Sequence, residues 1–459
     1  MLKIKFGTDG WRAIIADEYT LDNVRRVAMG TAIWMKQHGM TRAVVGYDTR
    51  FGGALFSQAT AEVLSGEGMT VYLSHDYAST PMVSLGVSHL QADLGVVITA
   101  SHNPPSYNGY KLKASYGGPM IPKDIEEIEN LIPDEIPAKK PLLGKIEKTD
   151  LETIYENKVR AAFDLPAIQS TAMPFAFDAM FGAGQRIMKK LFPDAIHIHS
   201  DFNPSFHGQA PEPIERNLTE LIHTVASNPD IKLGVANDGD ADRIGMTDEH
   251  GQFVDSHHLL LLLLYYQHHY KKQKGKVLIT FSVTDKVKKL ADLFGVECEV
   301  TKIGFKYISE IMLTTPILVA GEESGGIAVA GHIPERDGVW VALTILEFMA
   351  KSGKSLTELI GEIYSMVGAF KCDRDDLHLN EEQKQKIIKA CKDKSYTTFG
   401  DYKILGMEDM DGYKFHFDFD EWVMVRPSGT EPVLRVYAQA ADSIKVRKLL
   451  DAARATLLG

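Results

Sequence analysis

Three aspartates stand at alternate positions in the stretch "DGDADR": Asp238, Asp240 and Asp242. Closely spaced carboxylates repel one another unless a cation lies among them. Hard oxygen ligands of this kind suit Mg²⁺ or Ca²⁺. A solvated acidic turn would have the same composition, but these aspartates directly follow an apolar run and precede Arg243. We therefore predict a metal site with the three aspartates as ligands.

A serine and a histidine are adjacent in "ITASHNPPSYNGYK", which runs from Ile98 to Lys111. A serine hydrolase needs its imidazole within hydrogen-bond reach of the hydroxyl. Neighbouring residues of an extended loop point to opposite sides, so we expect His102 to be a poor base for Ser101. The stretch also lacks the G-x-S-x-G pattern of a nucleophile elbow. A phosphoryl-carrying Ser101 fits better, because its phosphate oxygens would complete the ligands of a metal held by aspartates.

Two further polar stretches offer groups that bind sugars and phosphate. Glu322 and Ser324 in "GEESGG" provide a carboxylate and a hydroxyl for sugar hydroxyls, although for this motif in isolation an exposed acidic turn is the better interpretation. "RPSGTEP" combines a guanidinium, two hydroxyls and a flexible glycine, which suits either a phosphate site or a β-turn. The candidate phosphate-binding residues there and just beyond are Arg426, Ser428, Gly429, Thr430 and Arg435.

The local sequence allows two interpretations for each of two cationic side chains. Arg12 follows the glycine turn of "GTDGWR" and either contacts a phosphate or lies at the surface. Lys111 ends "YNGYK" and is either an acid/base group or a solvated lysine. In both cases the local sequence alone favours the solvent-exposed alternative.

The four polar stretches occupy the same position relative to the predicted strands. Each follows an apolar, strand-like run: "LGVVITA", "KLGVAN", "PILVAG" or "EWVMV". In open α/β sheets, binding sites form beyond the carboxyl ends of the strands. We therefore expect the four loops to converge on one cleft between domains.

Hydrophobic periodicity predicts several elements around these loops. "TLDNVRRVAMGTAIWMKQHG" has helical spacing with Gly39 as its stop, and "AVVGYD" and "TVYLS" are typical of buried strands. The run from Leu259 to Tyr266 predicts a buried helix capped at Asp255 or Ser256. The charged stretch "CDRDDLHLNEEQKQKIIKACKDK" predicts a helix.

Chain length and element order predict a multidomain α/β protein. The 459 residues exceed the size at which one core stops growing. Strands alternate with helices until about Ala369, after which charged and aromatic-rich segments indicate a smaller α+β unit. The predicted domains are 1–147, 148–252, 253–369 and 370–459.

The overall composition limits the classes of binding partner and the cellular compartment that we expect. The formal net charge of −11 argues against a nucleic acid or an anionic membrane as partner, but not against an anionic small molecule. The sequence has three cysteines without metal-type spacing, no apolar leader and no apolar run long enough to cross a bilayer. These features predict a cytoplasmic protein that acts on a small molecule.

Taken in order, the motifs "GTDGWR", "TASHNPPSYNGYK", "DAMFGAG", "DGDADR", "GEESGG", "HIPERDG" and "RPSGTEP" resemble those of the α-D-phosphohexomutase family across the whole chain. The resemblance implies three similar α/β domains and a smaller, more mobile fourth domain around a central cleft. It implies reversible phosphate transfer between O1 and O6 of a hexose, through a phosphoserine and a hexose 1,6-bisphosphate, with Mg²⁺.

The resemblance also implies roles for individual residues. Ser101 carries the phosphoryl group and shares the metal with the three aspartates, and Lys111 is the acid/base candidate. Arg12 and Arg243 support the transferred phosphate, while Glu322 and Ser324 contact sugar hydroxyls. The residues implied to hold the second phosphate are Arg426, Ser428, Gly429 and Thr430. The lesser candidates are His102, Arg336 and Arg435.

One departure within the family bears on the substrate. Gly326 stands where the dual-specificity branch has a histidine, and the "GEES" opening is closer to glucose-specific members. We therefore expect conversion of glucose 1-phosphate to glucose 6-phosphate by a monomer or dimer. The alternatives are a phosphomannomutase, a phosphoglucosamine mutase or, in another class, a metal-dependent sugar phosphatase.

Overall fold

The computed structural model of the protein describes residues 3–7, 9–138, 140–418, 420–427 and 433–459. Among these residues, no helix has the length and apolar content needed to cross a membrane.

The chain forms two compact units, each built from two separate segments. The first unit comprises residues 1–275 and 304–358, and the second comprises 276–303 and 359–459.

A mixed six-stranded sheet occupies the first part of the chain. Its strands, in the order β1-β5-β4-β2-β3-β6, are β1 (Trp11–Ile14), β2 (Arg42–Tyr47), β3 (Thr70–Ser74), β4 (Leu94–Ile98), β5 (Tyr107–Ala114) and β6 (Ile146–Thr149). The accompanying helices are α1 (Leu21–Gln37), α2 (Gly53–Gly66), α3 (Thr80–His89) and α4 (Pro122–Asn130). β4 is buried at every residue, which explains its continuous apolar run. The prediction of α1 is confirmed, with Thr20 as its N-cap.

A second mixed sheet, of five strands, follows in the same unit. Its strands are β7 (Ala176–Asp178), β8 (Ile196–Ile198), β9 (Gly234–Asn237), β10 (Ile244–Thr247) and β11 (Phe253–Val254), in the order β11-β10-β9-β7-β8. The helices of this part are α5 (Leu151–Ala162), α6 (Leu165–Thr171), α7 (Gln185–Leu191) and α8 (Thr219–Ala226). β9 pairs parallel with β7 and antiparallel with β10, so the sheet ends in an antiparallel edge.

The next stretch repeats the alternation of strands and helices. Its strands are β12 (Lys276–Thr280), β13 (Cys298–Thr301), β14 (Ile317–Gly321) and β15 (Ile327–Val329). Its helices are α9 (Ser256–Tyr265), α10 (Lys286–Leu293), α11 (Phe305–Met312), α12 (Gly338–Ser352) and α13 (Leu356–Val367). β12 pairs parallel with β13, and β14 pairs antiparallel with β15. The predicted buried helix is α9, and the carboxylate of Asp255 caps it by accepting from the amide of His258.

The remaining strands are antiparallel and lie in the second unit. They are β16 (Lys371–His378), β17 (Thr398–Phe399), β18 (Tyr402–Lys403), β19 (Gly406–Glu408), β20 (Tyr413–His416), β21 (Trp422–Pro427) and β22 (Val433–Ala440). The helices are α14 (Glu381–Lys392) and α15 (Ser443–Leu458). The main sheet has the order β16-β22-β21-β20-β19, and β17 pairs separately with β18. This α+β architecture, together with the mixed α/β sheets before it, confirms the predicted fold class.

The prediction of one helix for "CDRDDLHLNEEQKQKIIKACKDK" is wrong in its first part. Lys371–His378 forms β16, which pairs with β22 at all eight of its residues. β16 is an edge strand whose charged side chains mostly remain accessible. Such charges are typical of protected sheet edges, and they hide the strand from an interpretation based on composition.

The polar loops occupy equivalent places in successive sheets. The serine loop (residues 99–106) joins β4 to β5, the aspartate loop (238–243) joins β9 to β10, and the glutamate loop (322–326) joins β14 to β15. In each case the two joined strands are antiparallel partners. Each loop thus leaves a buried strand at its carboxyl end and returns directly beside it, which limits its conformational freedom.

Candidate active site

The serine loop holds Ser101 in a constrained backbone conformation. Ser101 has a φ of 52°, in the left-handed region that residues other than glycine seldom adopt. Its amide donates to the hydroxyl of Thr99 at 2.9 Å, and its side chain is buried. The carbonyl of Ser101 lies so near Gly239 that a Cβ atom there would come within 2.5 Å of it. A glycine in the aspartate loop therefore allows the two loops to meet.

Contrary to the sequence-based expectation, Ser101 and His102 do not point apart. The left-handed turn at Ser101 brings its Oγ within 3.4 Å of Nδ1 of His102. The shorter hydrogen bond of Ser101 Oγ goes to Oδ2 of Asp238, at 2.7 Å. Burial, followed by the nearby cations Arg243 and Arg12, lowers the pKa of His102 well below its usual range. His102 is thus a neutral neighbour, while the serine hydroxyl is directed at the aspartate loop.

The aspartate loop gathers three buried carboxylates. One oxygen from each of Asp238, Asp240 and Asp242 lies within 4.8 Å of the other two. Thr80, the first residue of α3, donates its amide to the carbonyl of Asp240 at 2.9 Å and its hydroxyl to Oδ2 of the same residue at 2.5 Å. The start of a helix therefore fixes the middle aspartate.

These carboxylates have the properties of a divalent-cation site. Oδ1 of Asp240 and Oδ1 of Asp242 are buried and accept no hydrogen bond from the part of the chain that the structure describes. Burial and the charges of Asp240 and Asp242 raise the pKa of Asp238 well above its usual range. A cation among the three would occupy the unpartnered oxygens and relieve the repulsion, so the residues fit a metal with oxygen ligands.

Lys111 is buried, so the interpretation of a solvated lysine is wrong. Its Nζ lies 2.8 Å from Oδ2 of Asp240, 3.2 Å from Oδ2 of Asp242 and 2.9 Å from Oδ2 of Asp9. Burial alone would lower the pKa of Lys111, but these three carboxylates outweigh burial and raise it. The ammonium form is therefore favoured, and it can donate a proton or stabilise negative charge.

Asp9 was not selected from the sequence, although it lies within the quoted motif "GTDGWR". Its Oδ2 lies 2.6 Å from Nη2 of Arg336 and 3.8 Å from Nη2 of Arg12, in addition to its contact with Lys111. Burial would raise the pKa of Asp9, but the surrounding cations, Lys111 and Arg336 first, lower it well below its usual range. Asp9 is thus an anion that holds three cations of the site together, which its local sequence could not reveal.

The glutamate loop is not an exposed acidic turn at its first residue. Glu322 is buried, and its Oε2 lies 3.7 Å from Nη1 of Arg336. Arg336 also contacts Oδ2 of Asp242 at 2.8 Å, which connects this loop to the aspartate loop. Burial, partly offset by the charge of Arg336, raises the pKa of Glu322 to about 7. Ser324 lies in the same turn and is half-buried.

We expect Glu322→Gln to reduce the pH dependence of stability. A carboxyl whose pKa is higher in the folded state loses stabilisation as pH rises, here from about 4.5 to about 7. Each pKa unit corresponds to about 1.4 kcal/mol, so the shift corresponds to roughly 3 kcal/mol of unfolding free energy. Urea denaturation below and above this window should show that loss in the wild type and much less of it in E322Q. The neighbouring variant Glu323→Gln should keep most of the wild-type difference, because burial raises the pKa of Glu322 more than the charge of Glu323 does. Equal behaviour of both variants would contradict the assignment.

Arg12 and Arg243 flank the serine and the aspartates. Arg12 lies in β1, and its Nη1 donates to Oδ1 of Asn103 in the serine loop at 2.7 Å. The amide of Arg243 donates to Oδ1 of Asp238 at 3.0 Å, and its side chain is largely buried. Arg12 is therefore part of the site, although its local sequence favoured a surface position.

The predicted phosphate-binding residues belong to the second compact unit. Arg426 lies near the end of β21 and contacts Oδ1 of Asp411 at 3.3 Å, while Arg435 lies opposite it on β22. Arg435 also lies 3.8 Å from Oδ1 of Asp376. Ser428, Gly429 and Thr430 lie outside the described residues.

Family models match the chain along nearly all of its length. The models of the phosphoglucomutase/phosphomannomutase α/β/α domains I, II and III match residues 3–138, 153–251 and 255–367. The model of the phosphoglucomutase/phosphomannomutase C-terminal domain matches residues 376–456.

Individual proteins match over the same extent. A phosphoglucomutase/phosphomannomutase of Thermococcus kodakarensis is 31% identical over 97% of this chain and 96% of its own. A phosphoglucosamine mutase of Methanococcus vannielii is 30% identical over 97% of both chains. The crystal structure of a proposed phosphomannomutase from Thermus thermophilus is 33% identical, covers 100% of both chains and superposes with a TM-score of 0.90.

Proposed function

Because the chain belongs to the phosphoglucomutase/phosphomannomutase family, we propose that it transfers phosphate reversibly between O1 and O6 of a hexose, with glucose 1-phosphate and glucose 6-phosphate as its substrates. The observation that carries this proposal is the 2.7 Å contact between the Ser101 hydroxyl and Asp238, a member of a buried carboxylate triad.

In the proposed cycle, Ser101 carries a phosphoryl group at the start. The phosphorus–oxygen bond to Ser101 Oγ breaks as a bond forms to the free hydroxyl of the sugar monophosphate. One proton moves, in sum, from that hydroxyl to Ser101 Oγ, and a hexose 1,6-bisphosphate results. After the intermediate turns over in the site, its other phosphate returns to Ser101 and the product leaves.

The metal of this proposal is Mg²⁺, held by Asp238, Asp240 and Asp242 with a phosphate oxygen on Ser101. When bound, it supplies positive charge that neutralises the transferring phosphoryl group. The hard oxygens of the triad and the two unpartnered atoms on Asp240 and Asp242 support a cation of this class.

The cationic side chains of the site would stabilise the charge of the transferring phosphoryl group and move the proton of the sugar hydroxyl. Arg12 contacts the serine loop and Arg243 belongs to the aspartate loop, so both would be placed to bind the phosphate oxygens. Lys111 is held in its ammonium form by three carboxylates. As the ammonium it would protonate the sugar oxygen that leaves when phosphate returns to Ser101. The neutral amine formed in that step would then accept the proton of the hydroxyl that attacks the phosphoserine in the next cycle.

The preference for glucose rests on the glutamate loop. A Cβ atom at Gly326 would lie 2.4 Å from Cδ of Arg336, so a histidine there would require Arg336 to move. Arg336 in turn contacts Asp9 and Asp242. This packing supports a sugar site formed by Glu322, Ser324 and Arg336 without a histidine. We assign the second phosphate to Arg426, Ser428, Gly429 and Thr430, with Arg435 as a further candidate.

A side-by-side assay of three sugars tests the assignment. With Mg²⁺ and a hexose 1,6-bisphosphate, we expect kcat/KM for glucose 1-phosphate to exceed the values for mannose 1-phosphate and glucosamine 1-phosphate by at least roughly tenfold, a difference of about 1.4 kcal/mol. Two relatives are named for mutases of mannose or glucosamine phosphates, so each of these sugars is a direct competitor.

Inorganic phosphate should be followed in the same reactions. Preference for mannose or glucosamine phosphate would overturn the glucose assignment while leaving the mutase reaction in place. Phosphate release that matches substrate loss would instead establish a sugar phosphatase. A reaction without added Mg²⁺ and with a chelator serves as the control for the metal.

A further inference from the structure

Arg50 ends the stretch "GYDTR", which begins with the last two residues of β2, and its local sequence did not indicate a role in the site. Its side chain is buried, 2% exposed, and it faces the serine loop. A buried guanidinium is costly unless its N–H groups are satisfied, so its partners indicate what it is there to hold.

Arg50 donates from its two terminal nitrogens to four backbone carbonyls, three in the serine loop and one at the start of β5. Nη2 donates to the carbonyls of Ser101 and Asn103, each at 2.6 Å. Nη1 donates to the carbonyls of Pro104 and Tyr107 at 2.8 and 3.1 Å. The planar guanidinium therefore spans the serine loop from Ser101 to its junction with β5.

The remaining side of the guanidinium connects to the same loop through two other residues. Nε of Arg50 lies 3.3 Å from Oδ2 of Asp48. That oxygen accepts the hydroxyl of Thr99 at 2.5 Å, and Oγ1 of Thr99 accepts the amide of Ser101 at 2.9 Å. Both backbone polar groups of Ser101, its amide and its carbonyl, are thus held by one network of Asp48, Arg50 and Thr99, which we call the serine-loop clamp.

We propose that Arg50 is a positioning residue that keeps Ser101 in its left-handed conformation, with Oγ directed at Asp238, both when the serine carries phosphate and when it does not. This inference rests on the proposed function. A carrier serine must present the same atom to the metal site twice in each cycle, and a φ of 52° is unfavourable for serine unless its surroundings impose it.

Lysine cannot reproduce this arrangement, because its single ammonium has three donors and no planar fork. We therefore expect Arg50→Lys to lower kcat by roughly 100-fold with KM within about twofold, since misplacing a reacting group by a small distance has a rate cost of this order. Hydrogen exchange of peptides from the serine loop should be at least roughly tenfold faster in R50K, measured without substrate.

Arg26 provides the matched control. It is also 2% exposed, and it donates from Nε to the carbonyl of Pro133 at 2.7 Å and from Nη1 to Oδ1 of Asn23. Arg26→Lys should perturb stability similarly but leave kcat and the exchange of the serine loop unchanged. Should R50K fold poorly, Thr99→Val breaks the clamp without removing a buried charge, and Thr99→Ser should restore both readouts.

The results of these experiments distinguish failure of the clamp from failure of the proposed mutase function. Wild-type mutase activity together with unchanged kcat and loop exchange in R50K would overturn the clamp and leave the mutase assignment standing. An equal loss of kcat in R26K would also overturn it, because the effect would then be general. A wild type without mutase activity, but with a loop that loosens only in the clamp variants, would contradict the function and retain the structural role.

Discussion

Ser101→Ala should lower the mutase kcat by roughly 10⁴-fold or more, because removal of a covalent carrier leaves only binding and electrostatic contributions to the reaction. Ser101 Oγ is the atom that lies 2.7 Å from Asp238, and the variant deletes it with little change of volume. Folding should be unaffected apart from the loss of one buried hydrogen bond, which is about 1 kcal/mol. The mutase rate with glucose 1-phosphate, Mg²⁺ and bisphosphate provides the measurement.

Ser106→Ala is the control for Ser101→Ala, because Ser106 is exposed in the same loop. It should retain the wild-type rate. Intact mass after incubation with hexose 1,6-bisphosphate should show one added phosphate on the wild type and on S106A, but none on S101A. A wild-type rate in S101A would mean that phosphate passes through another group, and the proposed cycle would have to be abandoned.

Asp240→Asn should lower kcat by about 10³-fold and weaken divalent-cation binding. The substitution keeps the shape of the side chain but removes a charge from the triad. It also removes the carboxylate that lies 2.8 Å from Nζ of Lys111. Loss of electrostatic stabilisation in a buried site typically has an effect of this size on the rate. Calorimetric titration with Mn²⁺, without substrate, measures the binding separately from catalysis.

Asp248→Asn is the matched control for the metal site. Asp248 is a buried carboxylate just after β10, and its Oδ1 accepts the amides of His250 and Gln252. Its variant should lose some stability and keep both the Mn²⁺ affinity and kcat. Unchanged Mn²⁺ binding in D240N would show that the triad does not hold the metal.

Local sequence patterns were sufficient to predict the elements whose structure depends mainly on residues nearby in the chain. The helical spacing predicted α1, which Thr20 caps, and the uninterrupted apolar run predicted β4. They were insufficient for β16, where charged residues favoured a helix until pairing with β22 is taken into account. Edge strands of this kind depend on partners distant in sequence, and a local window does not contain them.

The same division applies to the candidate site. The sequence by itself determined which groups are present: a serine, three alternating aspartates and a glutamate, each placed directly after an apolar strand. Only the tertiary structure decided their states, because burial and distant charges set them. Tertiary contacts bury the ammonium of Lys111 beside the carboxylate of Asp9. They also direct the hydroxyl of Ser101 at Asp238, a residue distant in sequence. The tertiary structure also placed Arg50 against three carbonyls of the serine loop and that of Tyr107 in β5, contacts that depend on three-dimensional proximity and not on spacing along the chain.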